Sequence, residues 1–365
     1  MNNKKIAVAV SGGIDSLYSA WLLKNQGFDL IGIHFVTGYE APAENKATTQ
    51  TPSPLLTLHS DEGKRAIPAM NHVAEQLGIP IHIIDIKEIF KEKVVKPFVA
   101  SYMGGETPNP CQLCNPNIKF GLLLEVAKEL GADTLATGHY VQTELKDDKL
   151  HLRKGSDPRK DQSYFLSMVP EEKLKKAIFP LGGLIKEEIK ERALAENLSA
   201  FAKGESQDIC FIPDDYKSFL LTQDGFAMTP GPITLEDGTE VGRHMGLHGF
   251  TVGQRRGINC PGPYPYYVLA LRPEENRLIV GKKESLLSTT CRVKEINWLQ
   301  KPEGTTLTAT CKIRYSHRGA SATICWNPET SGATVTFDEP QSAVTPGQGA
   351  VFYIDDEVIG GGWIF

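Results

Sequence analysis

Ile6-Ala7-Val8-Ala9-Val10, Ser11-Gly12-Gly13-Ile14-Asp15-Ser16 and Leu17-Tyr18-Ser19-Ala20-Trp21-Leu22-Leu23 follow one another without a break near the start of the chain. The first run is apolar and rich in β-branched residues, the pattern of a strand buried on both faces of a parallel sheet. The last run places apolar residues at helical spacing. The six residues between them are therefore a strand-to-helix loop. Two adjacent glycines permit backbone angles that a Cβ forbids and let main-chain N–H groups come close to an oxyanion. Ser11 and Ser16 add hydroxyls, and the helix that begins here aims its positive end at the same point. The loop reads as a phosphate cradle. It has neither the lysine and spacing of G-x-x-x-x-G-K-[ST] nor the pattern G-x-G-x-x-G, so the two commonest nucleotide loops do not describe it.

The chain has 365 residues, more than one core usually serves, and two or three domains are expected. A hydrophobic share of 41% and a charged share of 23% are those of a folded globular protein and exclude disorder over most of the length. The formal net charge of -5 argues against a general nucleic-acid coat but leaves a local basic face open. Met1-Asn2-Asn3-Lys4-Lys5 leads straight into the first strand, and no stretch approaches the ~20 apolar residues that span a bilayer. A cytoplasmic protein without membrane contact is expected. Seven cysteines, an odd number, point away from a disulfide framework and toward chemistry at some of them.

Leu30-Ile31-Gly32-Ile33-His34-Phe35 is a second strand, whose end puts Phe35 where a base could lie, since ligands of open α/β sheets sit beyond the strand C-termini. From Tyr39 to Glu62 the chain is rich in Ala, Pro, Thr and Ser without a sustained period, and it reads as a long mobile loop. Helical spacing resumes from Arg65 to Leu77 with Gly78 as its stop, and Ile79 to Asp85 is a strand. Strand and helix alternate, which predicts a doubly wound parallel sheet. Thr107-Pro108-Asn109-Pro110-Cys111-Gln112-Leu113-Cys114-Asn115 breaks that rhythm. Its Cys-x-x-Cys suits a zinc half-site, a redox pair, part of an iron–sulfur site, or a nucleophile with a helper; zinc would need a second half-site, which is absent. Lys119-Phe120-Gly121 is expected to open a helix reaching Leu130, and Thr134 to Tyr140 to form a strand ending in Gly138-His139.

A hairpin is predicted around Asp147-Asp148. The mixed charges of Arg159-Lys160-Asp161-Gln162-Ser163 then suit phosphate and base contacts as well as a solvated turn. Lys186 to Asn197 reads as a charged, structural helix. Gly204-Glu205-Ser206-Gln207-Asp208-Ile209-Cys210-Phe211-Ile212 sets a third cysteine between polar and apolar residues. Pro230-Gly231-Pro232-Ile233 marks a boundary, beyond which short strands and Gly-rich turns replace the helices. Gly242 to Gly257, with Arg243, Arg255 and Arg256, is basic and flexible, as a phosphate track would be. From about Thr290, alternating runs such as Thr306 to Tyr315 and Ala350 to Ile354 predict a small barrel or sandwich, with Cys260, Cys291, Cys311 and Cys325 structural. The domains expected are 1–220, 221–286 and 287–365.

The Ser-Gly-Gly-x-Asp-Ser loop resembles the pyrophosphatase loop of adenylating ATPases, and nearly the whole chain resembles the tRNA-specific 2-thiouridylase family. The resemblance rests on Ser11 to Ser16, Thr107 to Phe120, Thr137 to Tyr140, Lys160 to Leu166, Ile209 to Ile212, Gly253 to Gly257, Arg314-Tyr315 and Thr345 to Tyr353, in that order. It implies an α/β ATP-pyrophosphatase domain with a doubly wound parallel sheet, a small central domain and a C-terminal all-β barrel. It implies that Ala9, Val10, Ser11, Gly12, Gly13, Ile14, Asp15, Ser16, Phe35 and Gly138 contact ATP. Asn109, Pro110 and Cys111 would approach the target base. His139, Lys160, Asp161, Gln162, Arg314, Tyr315 and Gln348 would contact the tRNA. Cys114 would be the nucleophile and Cys210 the persulfide carrier. The sequence departs from the family at Cys111, where many members carry Asp, and in the composition of the Tyr39 to Glu62 loop.

The implied reaction turns the C2 oxygen of the wobble uridine into an ester of AMP with ATP and Mg²⁺, and then replaces it by sulfur. One route passes a persulfide sulfur from Cys210 and closes a Cys114–Cys210 disulfide. The other holds sulfide on a [4Fe-4S] cluster ligated by Cys111, Cys114 and Cys210. Either needs a sulfur donor, whether a sulfurtransferase, a relay protein or sulfide. The rivals are an adenylating amidotransferase with the same loop and a non-catalytic tRNA-binding protein.

Overall fold

In the computed structural model, which describes residues 4–40, 51–201, 209–212 and 215–365, the first apolar run forms β1 (Lys5–Ala9). Alternate side chains of β1 feed two different cores. Ile6 and Val8 join Leu17 and Leu23 of α1 (Ile14–Asn25) and Met70 and Leu77 of α2 (Ile67–Leu77). Ala7 points the other way, to Leu123 and Ala127 of the helix Leu123–Glu129. A strand apolar on both faces is what helices on both sides require.

The sheet runs β3-β4-β2-β1-β5-β8, with β2 at Asp29–Val36, β3 at Leu56–Leu58, β4 at Ile81–Asp85, β5 at Thr134–Ala136 and β8 at Ala177–Ile178. Its ladders are parallel, with Val8 opposite both Gly32 and Ala136. The chain leaves β1 toward β2 and returns on its other side at β5, so the strand order reverses at β1. That switch point is where an open α/β sheet has its crevice. The hairpin of β6 (Val141–Lys146) and β7 (Lys149–Lys154) turns at Asp147 and Asp148, whose φ of 50° and 60° are those of a two-residue I′ turn.

Several expectations are corrected. The Tyr39 to Glu62 stretch is not all loop: Leu56–Leu58 pairs with β4, and Asp61–Ala66 is a 3₁₀ helix, while residues 41–50 lie outside the described ones. The helix expected from Lys119 begins earlier. Pro110–Cys114 is already helical, Asn115–Leu122 continues as a π-helix, and Leu123–Glu129 completes the run. Pro110 is pre-set for a first helical position, where its missing N–H costs nothing, so the helix starts at this proline. The strand expected from Thr134 to Tyr140 stops at Ala136. Gly78 ends α2 as expected, at φ 59° with its N–H on the Ala74 carbonyl.

The chain divides into two compact units. The first comprises Met1–Val94, Cys111–Pro213 and Asp356–Val358; the second comprises Val95–Pro110, Asp214–Asp355 and Ile359–Phe365. The second holds a four-stranded sheet, order β10-β9-β12-β11, from β9 (Gly231–Thr234), β10 (Glu240–His244), β11 (Tyr267–Arg272) and β12 (Arg277–Gly281). It also holds a closed six-stranded barrel of β13 (Leu287–Trp298), β14 (Thr306–Lys312), β15 (Ala320–Asn327), β16 (Gly332–Ser342), β17 (Gly349–Ile354) and, from Ile359 onward, β18 (Glu357–Ile364). Pairing of β13 with β18, Val293 opposite Ile364, closes it. The two-residue alternation of β16 sends Ala333, Val335 and Phe337 inward, where Cys291 and Cys311 are also buried.

Candidate functional site

The loop after β1 is braced by its own hydroxyls. Ser11 N–H donates to Ser16 Oγ at 3.1 Å, Ser16 Oγ donates to the Gly13 carbonyl at 3.0 Å, and Gly13 N–H reaches Ser11 Oγ at 3.3 Å. Gly12 takes φ +83°, which a Cβ would strain. The first backbone bond of α1 is Leu17 N–H to Gly13 O, and no side chain caps the helix. Its opening N–H groups therefore face a position suited to an anion. Val10 N–H bonds the Ile33 carbonyl, and Phe35 lies two residues further along β2, half-buried at the same end of the sheet.

Gly138 enters from the end of β5, where a Cβ would stand 3.1 Å from the backbone of Asp15 and Ser16. Only glycine lets this loop press on the start of α1. Asp15 Oδ1 accepts from Lys186 Nζ at 2.5 Å and from Tyr140 Oη at 2.6 Å. Lys186 is buried, and its backbone N–H is bound by Asp157. The charged helix expected from Lys186 to Asn197 forms over Lys186–Ala195, and its first residue is in addition a buried cation on the loop.

Cys111 and Cys114 stand on the helix Pro110–Cys114, and Cys210 on the turn closed by Ile212 N–H to Ile209 O. Phe211 anchors that turn, its buried ring 5.4 Å from Phe90 and 6.1 Å from Tyr39. Residues 202–208, which include Gly204 to Asp208, lie outside the described ones. Burial pushes the Cys114 thiol up to about 12, with Lys119 pulling it down and Cys210 and Cys111 adding to the rise. Cys111 is raised for the same reasons, again against Lys119. Cys210 is reached by solvent, yet it is raised by desolvation, as in a cleft crowded by protein, with Lys119 opposing and Glu40 adding. Three thiols thus share the field of one ammonium group. None of the three is in a disulfide, and among the described residues no three Cys, His, Asp or Glu side chains converge as a metal-binding group.

Lys119 Nζ also lies 3.3 Å from His139 Nε2, and His139 Nδ1 lies 2.7 Å from Thr137 Oγ1. Lys119 can only donate, so Nε2 accepts and the ring proton sits on Nδ1. Burial, and then Lys119, hold this histidine well below the usual range, so it is neutral. Asp161 is buried, taking Gly155 N–H and Ser163 N–H on Oδ1 and Ser163 Oγ on Oδ2. Gln162 Oε1 accepts from Tyr140 N–H, and Lys160 is half-buried beside them.

In the second unit, Arg314, Tyr315 and Gln348 meet around a cavity of about 560 Å³ that Lys283, Tyr267 and Thr107 also line. Arg314 donates to the Ser342 carbonyl at 3.2 Å, and Gln348 Nε2 donates to the Thr107 carbonyl at 2.8 Å. Asn109 is half-buried between the buried Pro108 and Pro110.

Sequence reasoning passed over Lys119, Tyr140 and Lys186. For Lys119 a signal existed, a lone cation one turn beyond a Cys-x-x-Cys. For Lys186 there was none, because a lysine opening Lys-Glu-Glu-Ile-Lys-Glu-Arg looks solvated whatever it touches.

Three family models match the chain in succession: a tRNA methyl transferase HUP domain over residues 4–214, a tRNA methyl transferase PRC-barrel domain over 217–282, and an aminomethyltransferase beta-barrel domain over 288–364. A tRNA-specific 2-thiouridylase MnmA of Geobacter metallireducens is 44% identical, over 99% of this chain and 96% of its own. Those of Desulfosudis oleivorans, at 44% over 100% and 95%, and of Syntrophotalea carbinolica, at 43% over 99% of each, are similar throughout. With likeness of this degree along the whole length, the chain belongs to the tRNA-specific 2-thiouridylase family.

Proposed function

We propose that this enzyme replaces the C2 oxygen of the wobble uridine of tRNA by sulfur, using ATP. The observation that carries the reading is the trio of thiols around Lys119 in the same unit as an uncapped Ser11–Ser16 loop. Methyl transfer or binding alone would have no use for them. In this reading Ala9 to Ser16, Phe35 and Gly138 hold ATP, and the loop N–H groups take its phosphates. The uridine O2 attacks the α-phosphorus and pyrophosphate leaves. Mg²⁺, when bound, neutralises charge on the leaving group, and Asp15 with the hydroxyls of Ser11 and Ser16 offers the oxygen donors it prefers.

The exposed position of Cys210 supports its loading as a persulfide by an external donor. Its terminal sulfur attacks C2 and AMP departs. Cys114 thiolate then attacks the Cys210 sulfur, leaving the transferred sulfur on the base and forming a disulfide that a thiol reductant reopens. A [4Fe-4S] cluster suits three thiolates by softness. The described residues do not converge at ligand spacing, and no step here runs through it. Asn109, Pro110 and Cys111 would face the base, with His139, Lys160, Asp161, Gln162, Arg314, Tyr315 and Gln348 serving the tRNA. The work would divide among 1–220, 221–286 and 287–365 as catalysis, tRNA binding and tRNA recognition.

Incubation with tRNA, ATP, Mg²⁺ and a persulfide-charged sulfurtransferase tests the proposal. AMP and 2-thiouridine formed together are expected. AMP with an aminated base would make it an amidotransferase, and tRNA binding without AMP a non-catalytic module.

A further inference from the structure

Residues 95–110 belong to the second unit, and the chain passes into the first at Cys111. Within the second unit, the stretch Glu106–Thr107 is held by the barrel turn 345–348. Thr107 N–H donates to the Pro346 carbonyl at 2.9 Å, and the Thr107 carbonyl accepts from Gln348 Nε2 at 2.8 Å. Both backbone groups of one residue are thus held by one turn. The turn is itself bolted to the last strand by Gly347 N–H to Ile364 O and Ile364 N–H to Gln348 O, each 2.9 Å. Thr107 Oγ1 adds a long contact, 3.4 Å, to Thr251 Oγ1.

Gly347 is fitted to this grip twice over. Its φ of +87° strains any L side chain, and a Cβ would fall 2.9 Å from Glu106 Cβ and 3.0 Å from Thr107 N. Beyond Thr107 comes Pro108-Asn109-Pro110. Two prolines fix φ at two of three residues, and each confines the residue before it to extended backbone. A displacement of Thr107 therefore carries to Asn109 and Pro110 as through a stiff rod, where a Gly-Ser linker would absorb it.

We propose that the turn 346–348 is a clamp that positions Asn109 and Pro110, and through them the peptide entering Cys111, so that the barrel acts on the rate of thiolation and not only on tRNA affinity. Gly347 and Gln348 are positioning residues in this sense. The proposal rests on the functional reading above.

Two variants test it: Gly347→Ala, which intrudes on Glu106 and Thr107, and Gln348→Met, which keeps the length of the side chain but cannot donate. At saturating tRNA, kcat is expected to fall about tenfold or more in Gly347→Ala, with tRNA Kd within about threefold, and severalfold in Gln348→Met on top of whatever Kd loss its tRNA contact brings, since small misplacement of a reacting group costs rate rather than affinity. In the free enzyme, the alkylation rate of Cys111 should change severalfold while that of the exposed Cys325 stays constant. A loss confined to Kd would make Gln348 a contact residue alone and overturn the clamp, as would unchanged alkylation of Cys111 in both variants. Should Gly347→Ala fail to fold, Gln348→Met carries the test with the backbone intact. A wild-type chain that thiolates no tRNA overturns the functional reading instead; the alkylation comparison, made without tRNA, still decides the clamp.

Discussion

The Ser11–Ser16 loop and the thiol group around Lys119 lie in one unit and are built on opposite terms. The loop is local. Ser11, Gly13 and Ser16 brace one another within six residues, main-chain N–H groups at the start of the helix face a position suited to an anion, and the sheet topology puts them at the switch point. The thiol group is assembled from a helix at 110–114, a lysine at 119 and a turn at 209–212, and burial works against it by keeping every thiol protonated. The counterweight common to all three thiols is Lys119. The loop is thus ready for an anion as it stands, whereas the proposed sulfur chemistry would start from protonated thiols that must be tipped toward thiolate.

Removing one member from each region should separate them most sharply. Cys114→Ser is expected to lower thiolation by ~10⁴-fold or more, the scale of losing a covalent nucleophile, while AMP formation on tRNA continues. Asp15→Ala should abolish AMP formation with tRNA binding retained. Assaying AMP and 2-thiouridine in parallel checks both. If Cys114→Ser also stops AMP release, the two regions are not separable steps.

Lys119 is where the comparison can be tuned. An ammonium beside a thiol favours the thiolate and lowers its pKa, so Lys119→Met should raise Cys114 above its present value of about 12. Below that pKa the thiolate fraction falls as the pKa rises, so thiolation at neutral pH should drop, with the rate–pH curve displaced to higher pH. Iodoacetamide alkylation of Cys114 against pH reads the shift without tRNA. Displacement to lower pH would mean that Lys119 does not act as a cation on this thiol.

The same contrast explains what could be read from the residues. The loop, the parallel alternation, the hairpin at Asp147-Asp148 and the alternating barrel strands depend on neighbours in sequence, and they were legible. Leu56–Leu58 was not, because three residues in a Pro- and Thr-rich stretch carry no period, and pairing with β4 creates the strand. The helical start at Pro110 was not legible either, because a proline suits an extended approach as readily as the first turn of a helix. Lys119 and Lys186 became significant only through distant residues, His139 and the thiols for one, Asp15 for the other. Cys210 was legible as a resemblance, yet its seat depends on Phe211 lying between Tyr39 and Phe90.

Lys186 gives a smaller effect. Breaking a fully buried ion pair costs about 3–5 kcal/mol, but the Asp15 side chain is 36% exposed and can turn to water, so Lys186→Met should cost only about 1–2 kcal/mol. A denaturant midpoint and the ATP KM together measure it: a modest loss of stability with a raised KM is expected. A variant as stable as the parent with unchanged KM would show that the loop holds Asp15 without help.

Cys111 should matter least, and for that reason it tests the thiol region most selectively. In the persulfide route it is a helper at most. Cys111→Asp removes a thiol whose charge opposes that of Cys114, while Lys119 can meet the new carboxylate. Thiolation from a persulfide donor should therefore stay within about threefold of wild type, a change of ~0.7 kcal/mol in the barrier. If the three cysteines hold a [4Fe-4S] cluster, the same substitution replaces a soft ligand by a hard one, and iron content and activity must fall together. The measurement is made anaerobically, with iron and visible absorption read on the same sample as thiolation. Full activity in an iron-free Cys111→Asp enzyme eliminates the cluster route. Joint loss of iron and activity, restored together in the parent by reconstitution, eliminates the persulfide route, and the three thiols must then converge more closely than they do in the free chain.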